Sequence, residues 1–146
     1  MIQLHNKKFK PFITKEEINS AVLKMAEKIQ LDYEGMNPVF IGVLNGSFLI
    51  VADLVREFTG NCEVSFVKMA SYEGINTTGV VNELIGLNHS IENRHVVIIE
   101  DIVDSGNTVE KLVGLIRKDK PASVKIATLL YKPKAYQKNI SIDYAA

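Results

Sequence analysis

The apolar positions fall into two rhythms. Thr14 and Glu17 fit a capping box, in which each side chain satisfies the other's free backbone N–H. Ile18, Ala21, Val22, Met25, Ala26 and Ile29 follow at helical spacing, so a helix starts here with one face on a core. Leu31 to Pro38 reads as a loop. Val39 to Leu44 is a short, nearly continuous apolar run, the pattern of a strand covered on both faces. Asn45-Gly46-Ser47 breaks it, and Phe48 to Phe58 reads as an apolar-rich helix.

Cys62 to Ala70 alternates as a strand, with Val64 and Phe66 on one side and Ser65 on the other. Tyr72 to Arg94 is rich in Gly, Asn and Thr, with short apolar pieces at Val80-Val81 and Leu84-Ile85. This stretch reads as a mobile hairpin excursion from the sheet, since long loops in compact domains are usually functional or disordered. His95 to Glu100 is the next strand. A helix runs from about Asn107 to Arg117, with Val109, Leu112, Val113 and Ile116 inward. Ser123 to Tyr131 is another strand, and Ile140 to Ala146 begins a further one. Strands alternating with helices predict an α/β fold with a mainly parallel central sheet flanked by helices.

Composition narrows the function classes. The 146 residues suggest a single domain over 1–146, and an apolar fraction of 47% is ordinary for a soluble globular protein. No apolar run has membrane-spanning length, and Met1 to Lys10 lacks the apolar centre of a secretory signal, so a cytoplasmic protein is expected. Seventeen basic residues balance seventeen acidic ones, which argues against a general nucleic-acid binder. The lone Cys62 excludes an internal disulfide and reads as core rather than nucleophile. No zinc-type ligand set appears.

The chemistry concentrates in Val96 to Thr108. An apolar strand runs into Glu100 and Asp101, and then come Ile102, Val103, Asp104, Ser105, Gly106, Asn107 and Thr108 at the start of a helix. In open α/β sheets, ligands bind at the carboxyl ends of strands. Carboxylates there can accept from sugar hydroxyls or hold Mg²⁺ directly or through water. Small residues, hydroxyls and free N–H groups at a helix N-terminus make an anion site, and Gly106 lets backbone approach a phosphate. Diol-binding carboxylates beside a phosphate loop describe a ribose 5-phosphate. Asp or Ser before a helix is often only a cap. Paired acids directly after a buried strand are costly without a further purpose.

This run resembles the phosphoribosyl-pyrophosphate (PRPP) motif of the type I phosphoribosyltransferases, matching it from Val96 to Thr108. Three further segments resemble the hypoxanthine-guanine branch. Gly42 to Phe48 resembles the pyrophosphate loop, centred on Leu44, Asn45 and Gly46, in which the peptide equivalent to Leu44–Asn45 is often cis. Relatives commonly carry Lys where this chain has Asn45, which removes one charge there. Ser71-Tyr72 resembles the base of the family's mobile active-site loop. Leu129 to Lys132 resembles the strand end whose Lys hydrogen-bonds the purine 6-oxo group. An ammonium donates to a carbonyl but cannot accept from an amino group, so Lys132 would select 6-oxopurines over adenine.

The resemblance implies the type I fold and transfer of a phosphoribosyl group from PRPP to hypoxanthine or guanine, giving IMP or GMP in purine salvage. It implies 5-phosphate binding by Asp104 to Thr108, ribose and Mg²⁺ binding by Glu100 and Asp101, and Asp104 as general base. It also implies a homo-oligomer, dimer or tetramer. The family continues past Asp143-Tyr144 for a few dozen residues that complete the base site, so the C-terminal part of its hood is expected to be missing. Two alternatives remain at this point: a xanthine- or pyrimidine-preferring transferase, and a non-catalytic PRPP-sensing regulator.

Overall fold

The computed structural model describes residues 2–69, 83–87 and 89–146. Its framework is a sheet whose central strands are too apolar to face water. Strands β3 (Val39–Val43), β4 (Glu63–Met69), β6 (His95–Val103), β7 (Ser123–Tyr131) and β8 (Tyr144–Ala145) run parallel. Strand β5 (Glu83–Ile85) pairs antiparallel with β4 at one edge, giving the order β5-β4-β3-β6-β7-β8. Helices α1 (Lys15–Asp32) and α2 (Phe48–Glu57) cover one face, and α3 (Asn107–Ile116) covers the other.

Strand periodicity divides the core into two layers. Phe40, Val97, Ile99 and Ala127 point toward α1 and α2, where they meet Met25, Ile29, Val51 and Leu54. Ile41, Val96, Ile98 and Ile126 point toward α3, where they meet Val109, Leu112 and Ile116. Gly42 sits where β3 faces α2. A Cβ there would lie 2.7 Å from the Phe66 ring and 2.8 Å from Val51, so the helix packs this closely because the side chain is absent.

The predicted elements form, with shifted bounds. The capping box closes, with Glu17 N donating to Thr14 Oγ1 at 3.2 Å and Thr14 N to Glu17 Oε2 at 2.7 Å. Helix α1 runs through Leu31 to Asp32, so the predicted loop begins later. Val64 shares its side of β4 with Phe66, as alternation requires, but stays 42% exposed. Strand β6 continues three residues past Glu100, because its ladder with β7 runs on to Val103↔Tyr131.

The last strand is shorter than expected. Ile140 and Ile142 pack on the core without joining the sheet, and Asp143 accepts from the Ile126 N–H at 2.9 Å. Only Tyr144 and Ala145 pair with β7. Tyr144 is tied to α1, since its hydroxyl donates to Asp32 at 2.5 Å and Asp32 also receives Lys125 Nζ at 2.6 Å. A small N-terminal hairpin, β1 (Ile2–Leu4) with β2 (Lys7–Phe9), was not foreseen; His5 turns it with φ 53°. Of the predicted excursion from Tyr72 to Arg94, β5 forms a returning strand beside β4. Residues 72–82 and 88 lie outside the described set. Among the described residues no helix is long and apolar enough to cross a membrane.

Ile98 is fully buried at the centre of β6. Ile98→Ala should lower unfolding free energy in urea by roughly 2–5 kcal/mol through lost burial and the cavity left behind. A loss below about 1 kcal/mol would contradict this account of the core.

Candidate active site

The carboxyl ends of β3 and β6 and the start of α3 enclose an open cleft of about 450 Å³. Val43, Leu44 and Gly46 line one wall, and Glu100 through Val109 with Lys111 supply the floor and the other wall. The cleft therefore gathers Glu100, Asp101, Asp104 to Thr108 and two of the three pyrophosphate-loop positions. Asn45 is not in its lining.

Glu100 is a carboxylate directly after the apolar run Val96 to Ile99, and only 6% of the residue is exposed. Burial, with the neighbouring Asp101 charge, pushes its carboxyl up to about 8. Among the described residues neither Glu100 nor Asp101 forms an ion pair. The pair is thus short of positive charge on the side that opens to the cleft.

The loop after β3 is fitted to Asp101. The Leu44–Asn45 peptide is cis, and Leu44 N donates to Val67 O at 2.8 Å. A Cβ on Gly46 would collide with the Asp101 carboxylate, so glycine is what lets the two strand ends meet.

Helix α3 starts from Gly106, which has φ +85° and ψ 5°. Among the described residues no side chain caps it, neither Asp104 nor Ser105. The simple-cap explanation of Asp104-Ser105 therefore does not apply, and the first-turn N–H groups are left for an anion. Asp104 instead pairs with Lys132, whose Nζ lies 2.7 Å from Asp104 Oδ2; both side chains are 54% exposed. An exposed pair of this kind adds at most about 1 kcal/mol to stability. Its consequence is placement: Lys132 N also donates to Val103 O at 3.0 Å, which brings the end of β7 over the phosphate loop.

Sequence reasoning missed the cover on Gly106. The Tyr136 ring and the Lys138 stem occupy the space a side chain there would need, with Lys138 Cγ at 2.8 Å from an ideal Cβ. Tyr136 donates to Ile140 O at 2.5 Å, and Gln137 N to Ser105 O at 3.4 Å. Nothing in the local sequence marks these residues, because the contact joins segments about thirty positions apart. Ser71 and Tyr72 lie outside the described residues. Cys62 is half-buried against the α1/α2 core, and burial pushes its thiol up, away from nucleophile character.

An uncapped helix start beside strand-end carboxylates is suited to a sugar phosphate, and the comparisons with known proteins place the chain in a class of sugar-phosphate-handling α/β proteins. The family model described as "Phosphoribosyl transferase domain" matches residues 13–145, and the chain belongs to that family. The chain is 37% identical over 142 residues to the hypoxanthine-guanine phosphoribosyltransferase of Streptococcus pneumoniae, covering 97% of this chain and 79% of the relative. A hypoxanthine-guanine phosphoribosyltransferase from Bacillus anthracis superposes with TM-score 0.86 at 34% identity, over 94% of this chain and 79% of that one. A Trypanosoma cruzi hypoxanthine phosphoribosyl transferase superposes with TM-score 0.86 at 35% identity, over 99% and 80%. That structure concerns the role of its own C-terminal region in oligomeric state and enzymatic activity.

Two outcomes test this geometry. An acid whose pKa is raised by folding holds its proton more tightly in the folded chain, so stability falls as pH rises from about 4.5 toward about 8. Urea midpoints of the wild type in divalent-free buffer should fall across this window relative to Glu100→Gln; parallel profiles would contradict the burial argument. Gly106→Ala should weaken ribose 5-phosphate binding, measured by calorimetry, at least tenfold, since the change strains a left-handed position and displaces Tyr136. Unchanged affinity would show that the loop geometry is not needed.

Proposed function

We propose that the chain transfers the 5-phosphoribosyl group of PRPP to hypoxanthine or guanine, releasing pyrophosphate and forming IMP or GMP. The observation that carries this reading is the uncapped N-terminus of α3 in the same cleft as Glu100 and Asp101. The similarity to hypoxanthine-guanine enzymes across nearly the whole chain supports the choice of base.

In this reading the 5-phosphate rests on the N–H groups and hydroxyls of Asp104 to Thr108, and the ribose hydroxyls donate to Glu100 and Asp101. Leu44, Asn45 and Gly46 flank the pyrophosphate. Ser71 and Tyr72 belong to the loop that closes over the reaction and excludes water. Lys132 donates to the purine 6-oxo oxygen. The C1–O bond to pyrophosphate breaks as purine N9 bonds to C1, and Asp104 accepts the proton that the purine loses.

The donor set fits Mg²⁺. Two adjacent carboxylates that form no ion pair among the described residues are hard oxygen ligands. Such a site holds Mg²⁺ through one or two carboxylates, with further oxygens from the substrate. Glu100 and Asp101 would hold it, and when bound it supplies positive charge to the departing pyrophosphate. A homo-oligomer working in the cytoplasm completes the reading.

The test is product formation with PRPP, Mg²⁺ and a panel of hypoxanthine, guanine, xanthine, adenine and uracil, followed by separation of nucleotides. IMP or GMP supports the reading. Product only from xanthine or uracil would move the specificity, and PRPP binding without any product would favour a regulator. Asp104→Asn should lower turnover roughly 10²–10⁴-fold while PRPP binding persists. Unchanged turnover would remove Asp104 as general base.

A further inference from the structure

The described residues lining the cleft carry three carboxylates, Glu100, Asp101 and Asp104, and one cation, Lys111. That balance opposes a polyanionic sugar phosphate. Helix α3 adds a further negative charge, because Glu110 lies in its first turn, although its side chain is not part of the cleft lining. A carboxylate there suits the free helix dipole but competes with a bound phosphate.

The segment after β7 answers both charges. Lys132 pairs with Asp104 on one side of the phosphate loop. Six residues later, Lys138 lays its stem over Gly106 and sets Nζ 2.7 Å from Glu110 Oε2. Its side chain is only 20% exposed, so the ammonium is held rather than free in solvent, while the stem covers Gly106. The Gln137 N–H on the Ser105 carbonyl and the Tyr136 ring on Gly106 fix the segment in place.

We propose that Lys138 is a positioning residue for the sugar-phosphate site: it neutralises Glu110 in the first turn of α3, so that the helix N-terminus accepts the 5-phosphate instead of being opposed by the helix's own carboxylate. This rests on the reading that the phosphate binds Asp104 to Thr108. Lys138 acts through Glu110 and Gly106 and does not touch the reacting atoms. A purely structural strap would hold the segment in place without affecting charge.

The test compares PRPP binding, with Mg²⁺, by the wild type and by Lys138→Met, Glu110→Gln, the double variant and Lys138→Arg, at low and high salt. Lys138→Met should weaken binding roughly fivefold at low salt, and the loss should shrink at about 1 M salt. Its turnover at saturating PRPP should match the wild type. Glu110→Gln should bind at least as tightly as the wild type, the double variant should recover wild-type affinity, and Lys138→Arg should retain it. A double variant as weak as Lys138→Met, or Lys138→Met binding like the wild type, overturns the proposal. Should Lys138→Met fail to fold, Glu110→Gln decides alone, since weaker binding by that variant contradicts charge compensation. Wild-type protein that binds no PRPP would instead remove the functional reading, and this inference with it.

Discussion

Strand β6 is buried on both faces and paired on both edges, and the site depends on that confinement. Val96 and Ile98 are locked against the α3 layer, and Val97 and Ile99 against the α1/α2 layer. A one-residue slip would exchange the two sets, so the register is held firmly. The strand then has no freedom in where it delivers Glu100 and Asp101. Burial of Glu100, which lifts its carboxyl to about 8, is the consequence of placing a charge at the end of so apolar a strand. A protein selected for stability alone would keep that position apolar; a protein that must grip hydroxyls or a hard cation keeps the carboxylate there.

The cleft around this strand end is assembled by close approaches that only glycine permits. Gly46 lets the segment after β3 touch Asp101, and Gly106 takes a left-handed turn beneath Tyr136 and Lys138. These contacts bring three separate stretches of chain together around the end of β6 and the start of α3. The lysines of the third stretch, Lys132 and Lys138, each face a carboxylate beside the phosphate loop. Their arrangement offsets two carboxylates around the start of α3 in a chain of zero formal net charge.

Much of this was legible in the order of residues. The Thr14/Glu17 box, the apolar strands at Val39 and Val96, the inner face of α3 and the acid-rich run into Asp104-Ser105-Gly106 are local signals with local causes. Lys132 was legible because its segment resembles a family motif. The rest is tertiary. The extension of β6 to Val103 depends on its partner β7, and the shortness of β8 depends on Asp143 accepting from Ile126. The β1–β2 hairpin has only the three-residue alternation Ile2-Gln3-Leu4 to mark it, and Lys7 to Phe9 are all exposed. The covering of Gly106 by Tyr136 and Lys138 joins residues remote in sequence, and no periodicity encodes it.

Where a sugar phosphate binds is the most direct test of the α3 N-terminus. A titration of ¹⁵N-labelled protein with ribose 5-phosphate, followed by NMR, reads each backbone N–H separately. Shifts concentrated on the amides of Ser105 to Thr108, saturating together, are the predicted result. Saturable binding that leaves those amides unmoved while shifting others would contradict the assignment of the α3 N-terminus as the phosphate site.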